Sequence, residues 1–174
     1  MYDVRYLTFD VVFRRIIIPI IDDECRVIGF SGRVVDRGMP KYLNSRETMV
    51  FDKSRSLFGL DHVKDKAAQY IILCEGCMDV MALHQAGFDM AVMPLGVRFT
   101  LEQAKIIKGY AHDVMVCYDS DESGKIAASN TATILSEAGM SVKQIDMSPH
   151  MDLQEYIAIE GGTAFGELLR TVLD

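Results

Sequence analysis

The chain has 174 residues, is 49% hydrophobic and carries a formal net charge of −7 at pH 7. This length fits one domain, or one domain with a small appendage, and is sufficient to bury a core. No apolar run is long enough to span a bilayer, and the amino terminus lacks the basic-then-apolar pattern of a signal peptide. We therefore expect a folded cytoplasmic protein and not a disordered, secreted or membrane-spanning one.

The first third of the chain is predicted to be rich in β-structure. Residues 15–21 and 26–35 are apolar, β-branched segments, and the polar residues 22–24 between them indicate a hairpin turn. A second turn is expected at residues 36–40, before the segment Lys41-Tyr42-Leu43-Asn44-Ser45. Residues 1–66 are thus predicted to form a small, basic, mainly antiparallel β subdomain.

From residue 70 onward, the pattern changes to alternating strands and helices. Strands are predicted at 70–75, 90–94, 113–119 and 141–147, and helices at 78–85, 101–110 and 124–137, followed by two short helices. Gly87 and Gly139 occupy expected helix C-caps, and Thr100 with Gln103 forms a capping box. Residues 67–174 are therefore predicted to form an α/β domain, a parallel sheet flanked by helices.

Charge divides the chain in the same way. Residues 1–66 contain twelve Lys and Arg against ten Asp and Glu, whereas residues 67–174 contain six against fifteen. The first part can offer a basic surface to phosphates, and the acidic second part needs cations before phosphates approach it.

Carboxylates follow two of the predicted strands. Glu75 ends one strand, Asp79 lies one helical turn later, and Asp119 and Asp121 end another strand. If the two strands are parallel neighbours, these side chains share one crevice, where their repulsion requires cations. Because Mg²⁺ prefers carboxylate oxygens, water and phosphate, the pattern predicts a divalent-metal site. For any single Asp, a helix N-cap or a solvated turn residue is the alternative.

The four cysteines do not form a convincing metal or redox motif. Cys74 and Cys77 make one CxxC, but Cys25 and Cys117 are not arranged as a second pair. We expect Cys74 and Cys117 to be buried, reduced residues that fill strand positions.

Glu75-Gly76 followed by Asp119-Ser120-Asp121 resembles the Toprim signature of bacterial primases, type IA and type II topoisomerases, and some nucleases and repair proteins. Other segments occur in the order expected of bacterial replicative DNA primases of the DnaG type. These segments are residues 18–20, 27–33, 40–45, 53–60, 75–80 and 118–121. The resemblance extends roughly from Asp10 to Arg170 and implies a Toprim-type sheet in the second domain.

The resemblance implies DNA-templated RNA primer synthesis by a nucleotidyltransferase that uses ribonucleoside triphosphates and two Mg²⁺ or Mn²⁺ ions. It assigns catalytic roles to Glu75, Asp79, Asp119 and Asp121, and metal binding to Glu75, Asp119, Asp121 and Asp152. Residues expected near the single-stranded DNA template or the incoming nucleotide are Arg33, Lys41, Asn44, Lys53 and Arg55. For each of these cations, an ordinary solvated surface charge is the alternative.

The chain departs from the family pattern at three places. Cys77 stands where the family usually has an aromatic residue, Gly96-Val97 where it has Gly-Thr, and Gln154 where it has Asp. Gln154 supplies no negative charge, so we expect the second metal to be held less tightly or by Glu155. Asp152 could also be a plain helix N-cap.

Two other functions remain open from the sequence. One is a metal-dependent nuclease, because water can replace a 3′-hydroxyl as the nucleophile. The other is a chain that binds metal, nucleotide or nucleic acid without turnover alone. Primases of this type also carry a zinc ribbon and a helical region that contacts the replicative helicase. We expect this chain to correspond to the polymerase core, with the helicase contact in a region absent from it.

Overall fold

The computed structural model describes residues 8–10, 14–36, 38–63, 68–96, 98–148 and 152–173. Their strands form a four-stranded sheet, in the order β1-β2-β3-β4, and a five-stranded sheet, in the order β5-β7-β6-β8-β9. The first sheet is antiparallel and the second is mostly parallel. The predicted fold class, a helix-flanked parallel sheet preceded by a small antiparallel unit, is confirmed.

The first sheet is built around the predicted hairpin. Its strands are β1 (Thr8–Asp10), β2 (Arg15–Ile21), β3 (Val27–Val34) and β4 (Tyr42–Asn44). The Asp22 carboxylate holds the hairpin turn by accepting hydrogen bonds from the backbone N–H groups of Glu24 and Arg26. One face of the sheet buries Ile18 and Ile20, whereas the opposite face leaves Phe30 49% exposed.

The second sheet contains β5 (Leu57–Phe58), β6 (Tyr70–Cys74), β7 (Ala91–Pro94), β8 (Asp113–Cys117) and β9 (Ser141–Gln144). Strands β6 to β9 are parallel, and β5 pairs antiparallel with β7. The sheet therefore includes a strand that precedes residue 66. The predicted division between residues 66 and 67 falls among residues 64–67, outside the described residues, and stays a prediction.

The helices are α1 (Leu60–Val63), α2 (Cys77–Gln85), α3 (Leu101–Lys108), α4 (Glu122–Glu137) and α5 (Leu153–Leu173). Gly161, with φ of 83°, interrupts α5, in agreement with the prediction of two short helices. The Thr100–Gln103 capping box is also confirmed. No helix in the described part of the chain is long and apolar enough to cross a membrane.

Helices cover both faces of the second sheet. On one face, Leu73 and Val116 pack with Ile107 of α3 and Leu135 of α4. On the other, residues such as Ile72 and Met115 pack with α2 and α5, and the predicted buried, free state of Cys74 and Cys117 is confirmed. Because both faces are covered, successive positions of β6 and β8 are apolar.

Candidate active site

Glu75 and Asp119 meet at the carboxyl ends of two neighbouring strands. Strands β6 and β8 pair in parallel with Cys74 opposite Cys117, so the residues that follow them leave the sheet together. The backbone N–H of Asp119 donates a hydrogen bond to Glu75 Oε2 at 3.2 Å. The structure thus brings together the two acidic segments that the sequence placed on separate strands.

Asp79 lies below this edge, in the first turn of α2, and is only 7% exposed. Its Oδ2 accepts a hydrogen bond from Gly76 N at 3.0 Å, and its Oδ1 accepts one from Gln154 N at 3.1 Å. Burial, followed by the charges of Asp152 and Glu75, raises the pKa of Asp79 to about 6. Asp79 therefore connects the start of α2 to the start of α5, and its catalytic role stays a prediction.

Asp121 and Asp152 are both helix N-caps. Asp121 Oδ1 accepts hydrogen bonds from Gly124 N at 2.7 Å and from Ser123 Oγ at 2.8 Å, and these bonds lower its pKa. Asp152 Oδ1 accepts a hydrogen bond from Glu155 N at 2.7 Å. An ionised carboxylate has two oxygens and about four lone-pair sites, so capping is compatible with cation binding. The metal-binding role of these two residues stays a prediction.

Several carboxylates lie close together at this edge of the sheet, so negative charge is concentrated there. Burial raises the pKa of Asp119 to about 7, with further contributions from the charges of Glu75, Asp79, Asp152 and Asp121. Within the described ranges, no three His, Cys, Asp or Glu side chains form a ready-made metal site. A cation bound to one or two of these carboxylates, with water and phosphate as its other ligands, would reduce their repulsion.

Arg33, Lys41 and Asn44 lie on the first sheet, where Tyr42 organises the two cations. Arg33 Nη1 donates a hydrogen bond to Tyr42 Oη at 2.8 Å, and its guanidinium carbon is 5.5 Å from the ring centroid. Lys41 Nζ lies 6.0 Å from the same centroid. Tyr42 also lies close to Cys77, whose pKa burial raises to about 11. Tyr42 therefore connects the first sheet to the start of α2.

Lys53 and Arg55 lie in a 3-10 turn, Lys53–Arg55, before β5. The Asp52 side chain caps this turn by accepting hydrogen bonds from Ser54 N at 2.9 Å and from Ser54 Oγ at 2.7 Å. This turn packs against α3, on the second sheet's side of the molecule. Three of the five residues predicted to bind nucleic acid or nucleotide thus lie on the first sheet, and the other two lie in the 3-10 turn. Their binding roles stay predictions.

A cleft of about 840 Å³ opens beside Glu75. Its lining includes Gly96, Arg98, Phe99 and Tyr118, together with one side of α4. Sequence reasoning missed the cleft, and Arg98 carried no signal in the sequence because only the loop after β7 brings it there. Tyr42 could have been noticed, since it stands inside the Lys41–Ser45 segment.

Comparisons with known families agree with this geometry. Residues 4–64 match the family described as "DNA primase catalytic core, N-terminal domain", and residues 72–157 match the family described as "Toprim-like". The fold and the carboxylate edge therefore define a Toprim-type α/β domain preceded by a primase-type β unit.

The chain belongs to the bacterial DnaG-type DNA primase family, matching its catalytic core. It is 40% identical over 166 residues to DNA primase from Clostridium acetobutylicum, covering 95% of this chain and 28% of that protein. It is 35% identical over 174 residues to DNA primase from Aquifex aeolicus, covering 94% of this chain and 35% of that protein. The chain thus spans about a third of the length of these curated relatives.

Two solved structures are also similar to the chain. A structure of the zinc-binding and RNA polymerase domains of Aquifex aeolicus primase has a TM-score of 0.86 and 32% identity, covering 98% of this chain and 45% of that one. A structure of the DnaG primase catalytic domain bound to single-stranded DNA has a TM-score of 0.84 and 32% identity. The match covers 95% of this chain and 56% of that one. Toprim-type primases generally depend on metal ions.

Proposed function

We propose that this chain acts as the catalytic core of a DNA primase, which joins ribonucleotides into short RNA primers on single-stranded DNA. The observation that carries the proposal is the contact between Asp119 N and Glu75 Oε2 at the carboxyl edge of β6 and β8. This edge gathers the carboxylates, and the cations of the first sheet and of the 3-10 turn supply the opposite charge. The family match supports nucleic acid as the partner, because one similar structure is bound to single-stranded DNA.

The donor set at the carboxylate edge fits divalent cations. Carboxylate oxygens are hard ligands, which divalent cations such as Mg²⁺ prefer. The pKa of Asp119 is raised by burial and by the neighbouring negative charges, and a bound cation would offset those charges. We propose that two ions, Mg²⁺ or Mn²⁺, are held by Glu75, Asp119, Asp121 and Asp152. When bound, such ions neutralise phosphate charge and make a hydroxyl more acidic.

The proposed reaction is nucleotidyl transfer. The 3′-hydroxyl oxygen forms a bond to the α-phosphorus of a ribonucleoside triphosphate, the bond from that phosphorus to the bridging oxygen breaks, and pyrophosphate leaves. The hydroxyl proton passes to solvent. Arg33, Lys41, Asn44, Lys53 and Arg55 hold template or nucleotide phosphates, so that binding energy is used for alignment. Asp79, with both oxygens hydrogen-bonded, keeps the starts of α2 and α5 in place.

Primer synthesis with a Glu75→Gln variant tests this proposal. The chain is incubated with single-stranded DNA, labelled ribonucleotides and Mg²⁺ or Mn²⁺, and short RNA products are measured. We expect product formation to fall by about 100-fold or more, since electrostatic groups at the reacting centre contribute on that scale. Glu102→Gln is the matched control, because Glu102 is an exposed carboxylate in the first turn of α3.

The same assay separates the other functions. Shortened DNA in place of RNA products would indicate a nuclease. Metal or nucleotide binding that depends on Glu75, without any product, would indicate a site that does not turn over in this chain alone. We propose that contact with the replicative helicase is made by a helical region of the family, outside the matched segments 4–64 and 72–157.

A further inference from the structure

Gln103 connects α3 to the turn that carries Lys53 and Arg55. Its side chain is completely buried, at 0% exposed. Its Oε1 accepts a hydrogen bond from Thr100 N at 3.0 Å, as a capping box requires. Its Nε2, however, lies 2.9 Å from Lys53 O, 3.0 Å from Ser56 O and 3.1 Å from Leu95 O. The side-chain amide of Gln103 therefore donates hydrogen bonds to backbone carbonyls outside the helix.

Thr100 reinforces this connection. Its hydroxyl donates a hydrogen bond to Ser54 O at 2.6 Å and accepts one from Gln103 N at 3.1 Å. The carbonyls of Lys53, Ser54 and Ser56 are thus all bound by the two residues of one capping box. A helix cap needs none of these three bonds, so stabilising α3 does not explain them.

The turn held in this way lies next to the cleft that opens beside Glu75. A Cβ atom placed on Gly96 would lie 3.8 Å from Lys53 Cβ, so the Lys53 side chain begins next to Gly96. Gly96 and Glu75 line the same cleft. Movement of the turn would therefore change where the two cations stand relative to the carboxylates.

We propose that Gln103 and Thr100 are positioning residues that hold Lys53 and Arg55 at the distance from the carboxylate edge at which both charges engage phosphate groups. The inference rests on the proposed function, because it needs Lys53 and Arg55 to bind phosphates. Phosphate is common to the single-stranded template and the incoming nucleotide. A buried amide with four partners fixes a backbone more specifically than an apolar side chain of the same size, since each lost bond leaves a polar group unpaired.

A double-mutant cycle tests the inference. Four proteins are compared: the unchanged chain, Gln103→Met, Lys53→Ala/Arg55→Ala, and the triple variant. Binding of a labelled single-stranded DNA oligonucleotide is measured over a series of salt concentrations, and binding of ATP with Mg²⁺ is measured separately. The first measurement reports template phosphates and the second reports nucleotide phosphates.

If the cations bind template, the double variant should reduce the slope of log affinity against log salt by about 1.4, or about 0.7 for each lost phosphate contact. Gln103→Met should reduce the slope by at least half as much, and the triple variant should be no worse than the double variant. If the cations bind nucleotide, the same non-additivity should appear in ATP affinity. Independent, additive effects in both measurements would overturn the inference.

A second pair of variants covers the case in which Gln103→Met does not fold. Ser and Gly are both accepted as N-caps, but only Ser can donate a hydrogen bond to Ser54 O. Thr100→Ser should therefore preserve phosphate binding, whereas Thr100→Gly should weaken it, with no change of charge in either variant. Equal binding by both variants would contradict the inference.

Failure of this inference and failure of the proposed function give different results. If removal of Lys53 and Arg55 changes neither DNA nor ATP binding, the positioning role is wrong, while Glu75-dependent primer synthesis would still establish the primase function. If no primers form but Gln103 remains coupled to the two cations in binding, the positioning role holds and the proposed turnover by this chain fails.

Discussion

The two sheets of this protein use similar apolar strands in different ways. In the second sheet, Ile71, Ile72, Leu73 and Cys74 of β6 are all buried, because helices cover both faces. In the first sheet, one face buries Ile18 and Ile20, and the opposite face leaves Phe30 49% and Leu43 56% exposed. The second sheet is thus a rigid support for the carboxylates, while the first sheet is one-sided and depends on its contact with the second.

The two parts of the chain also differ in charge. The cations of the first sheet reach the carboxylate edge only if the two sheets are held together. Within the described residues, the cluster of Ile20, Phe51 and Leu95 packs between the sheets, and Tyr42 of the first sheet lies close to Cys77 at the start of α2. Function should therefore be most sensitive to changes at these joints and at the carboxylate edge.

The largest expected effect on stability is at Phe51, which is 0% exposed. Its ring packs on the first sheet, since a Cβ on Gly29 would lie 3.2 Å from Phe51 Cδ1, and it also belongs to the cluster with Leu95. Phe51→Ala should cost about 3–5 kcal/mol, because it leaves a cavity between the sheets. Phe30→Ala, on the exposed face, should cost less than about 1 kcal/mol. The free energies of unfolding of the two variants are measured by urea denaturation. Equal losses would contradict the role of Phe51 in packing the two sheets together.

Gly124 should show the next largest effect, this time at the carboxylate edge. A Cβ on Gly124 would collide with the carbonyl oxygen of Asp119, a backbone atom that cannot move without shifting the acidic loop. Gly124→Ala should cost about 1–3 kcal/mol. It should also reduce primer synthesis by about 100-fold, because small displacements of reacting groups have effects of that size.

Gly166→Ala is the control for that variant. A Cβ there would lie 3.6 Å from Phe88 Cζ, an ordinary contact, and alanine favours the helix by up to about 1 kcal/mol. Unchanged activity with equal or higher stability is expected. A Gly124→Ala protein as active as this control would mean that the Asp119 loop tolerates displacement.

The acidic edge should make stability depend on pH. Burial and neighbouring charges raise the folded-state pKa of Asp119 to about 7 and that of Asp79 to about 6, above the unfolded value of 3.8. The folded state therefore binds more protons, and stability gained at low pH is lost as pH rises through about 6 to 7. Without metal, melting temperature should fall between pH 5 and pH 8.

Asp119→Asn should remove much of the stability loss that occurs as pH rises. At pH 8 without metal it should stabilise the chain by up to about 1 kcal/mol, a reduced figure because the carboxyl is partly solvated. Primer synthesis should be lost at the same time. A variant that melts lower than the unchanged chain at pH 8 would show that the carboxylates do not repel each other in the folded state.

The smallest expected effect is at Tyr42. Tyr42→Phe keeps the ring but removes the hydroxyl that accepts from Arg33, at a cost of about 0.5–1.5 kcal/mol. Phosphate affinity should weaken a few-fold, because Arg33 loses a fixed partner. Tyr70→Phe is the comparison, since burial alone raises the pKa of Tyr70, and it should leave phosphate affinity unchanged. The melting temperature and the affinity for nucleotide are measured for both variants.

The sequence by itself determined the hairpin of the first sheet and most strands and helices of the second. Hydrophobic periodicity, the hairpin turn at 22–24, the glycines after α2 and α4 and the capping box at Thr100 are local signals, so they could be recognised without the structure. It also identified Glu75 and Asp119 as residues that end two strands. It did not show that β5 joins the second sheet, because a two-residue strand has no periodicity of its own.

Only the tertiary structure decided which partners these residues have. Gln103 donates hydrogen bonds to Lys53 and Ser56 from about fifty positions away, Asp79 accepts one from Gln154 N, and Tyr42 accepts one from Arg33. A capping-box Gln, a buried Asp and a strand Tyr look ordinary in sequence, since hydrogen bonds between distant segments leave no periodic pattern. The surroundings of these residues were therefore set by hydrogen bonds and packing between segments far apart in the chain, which local sequence does not encode.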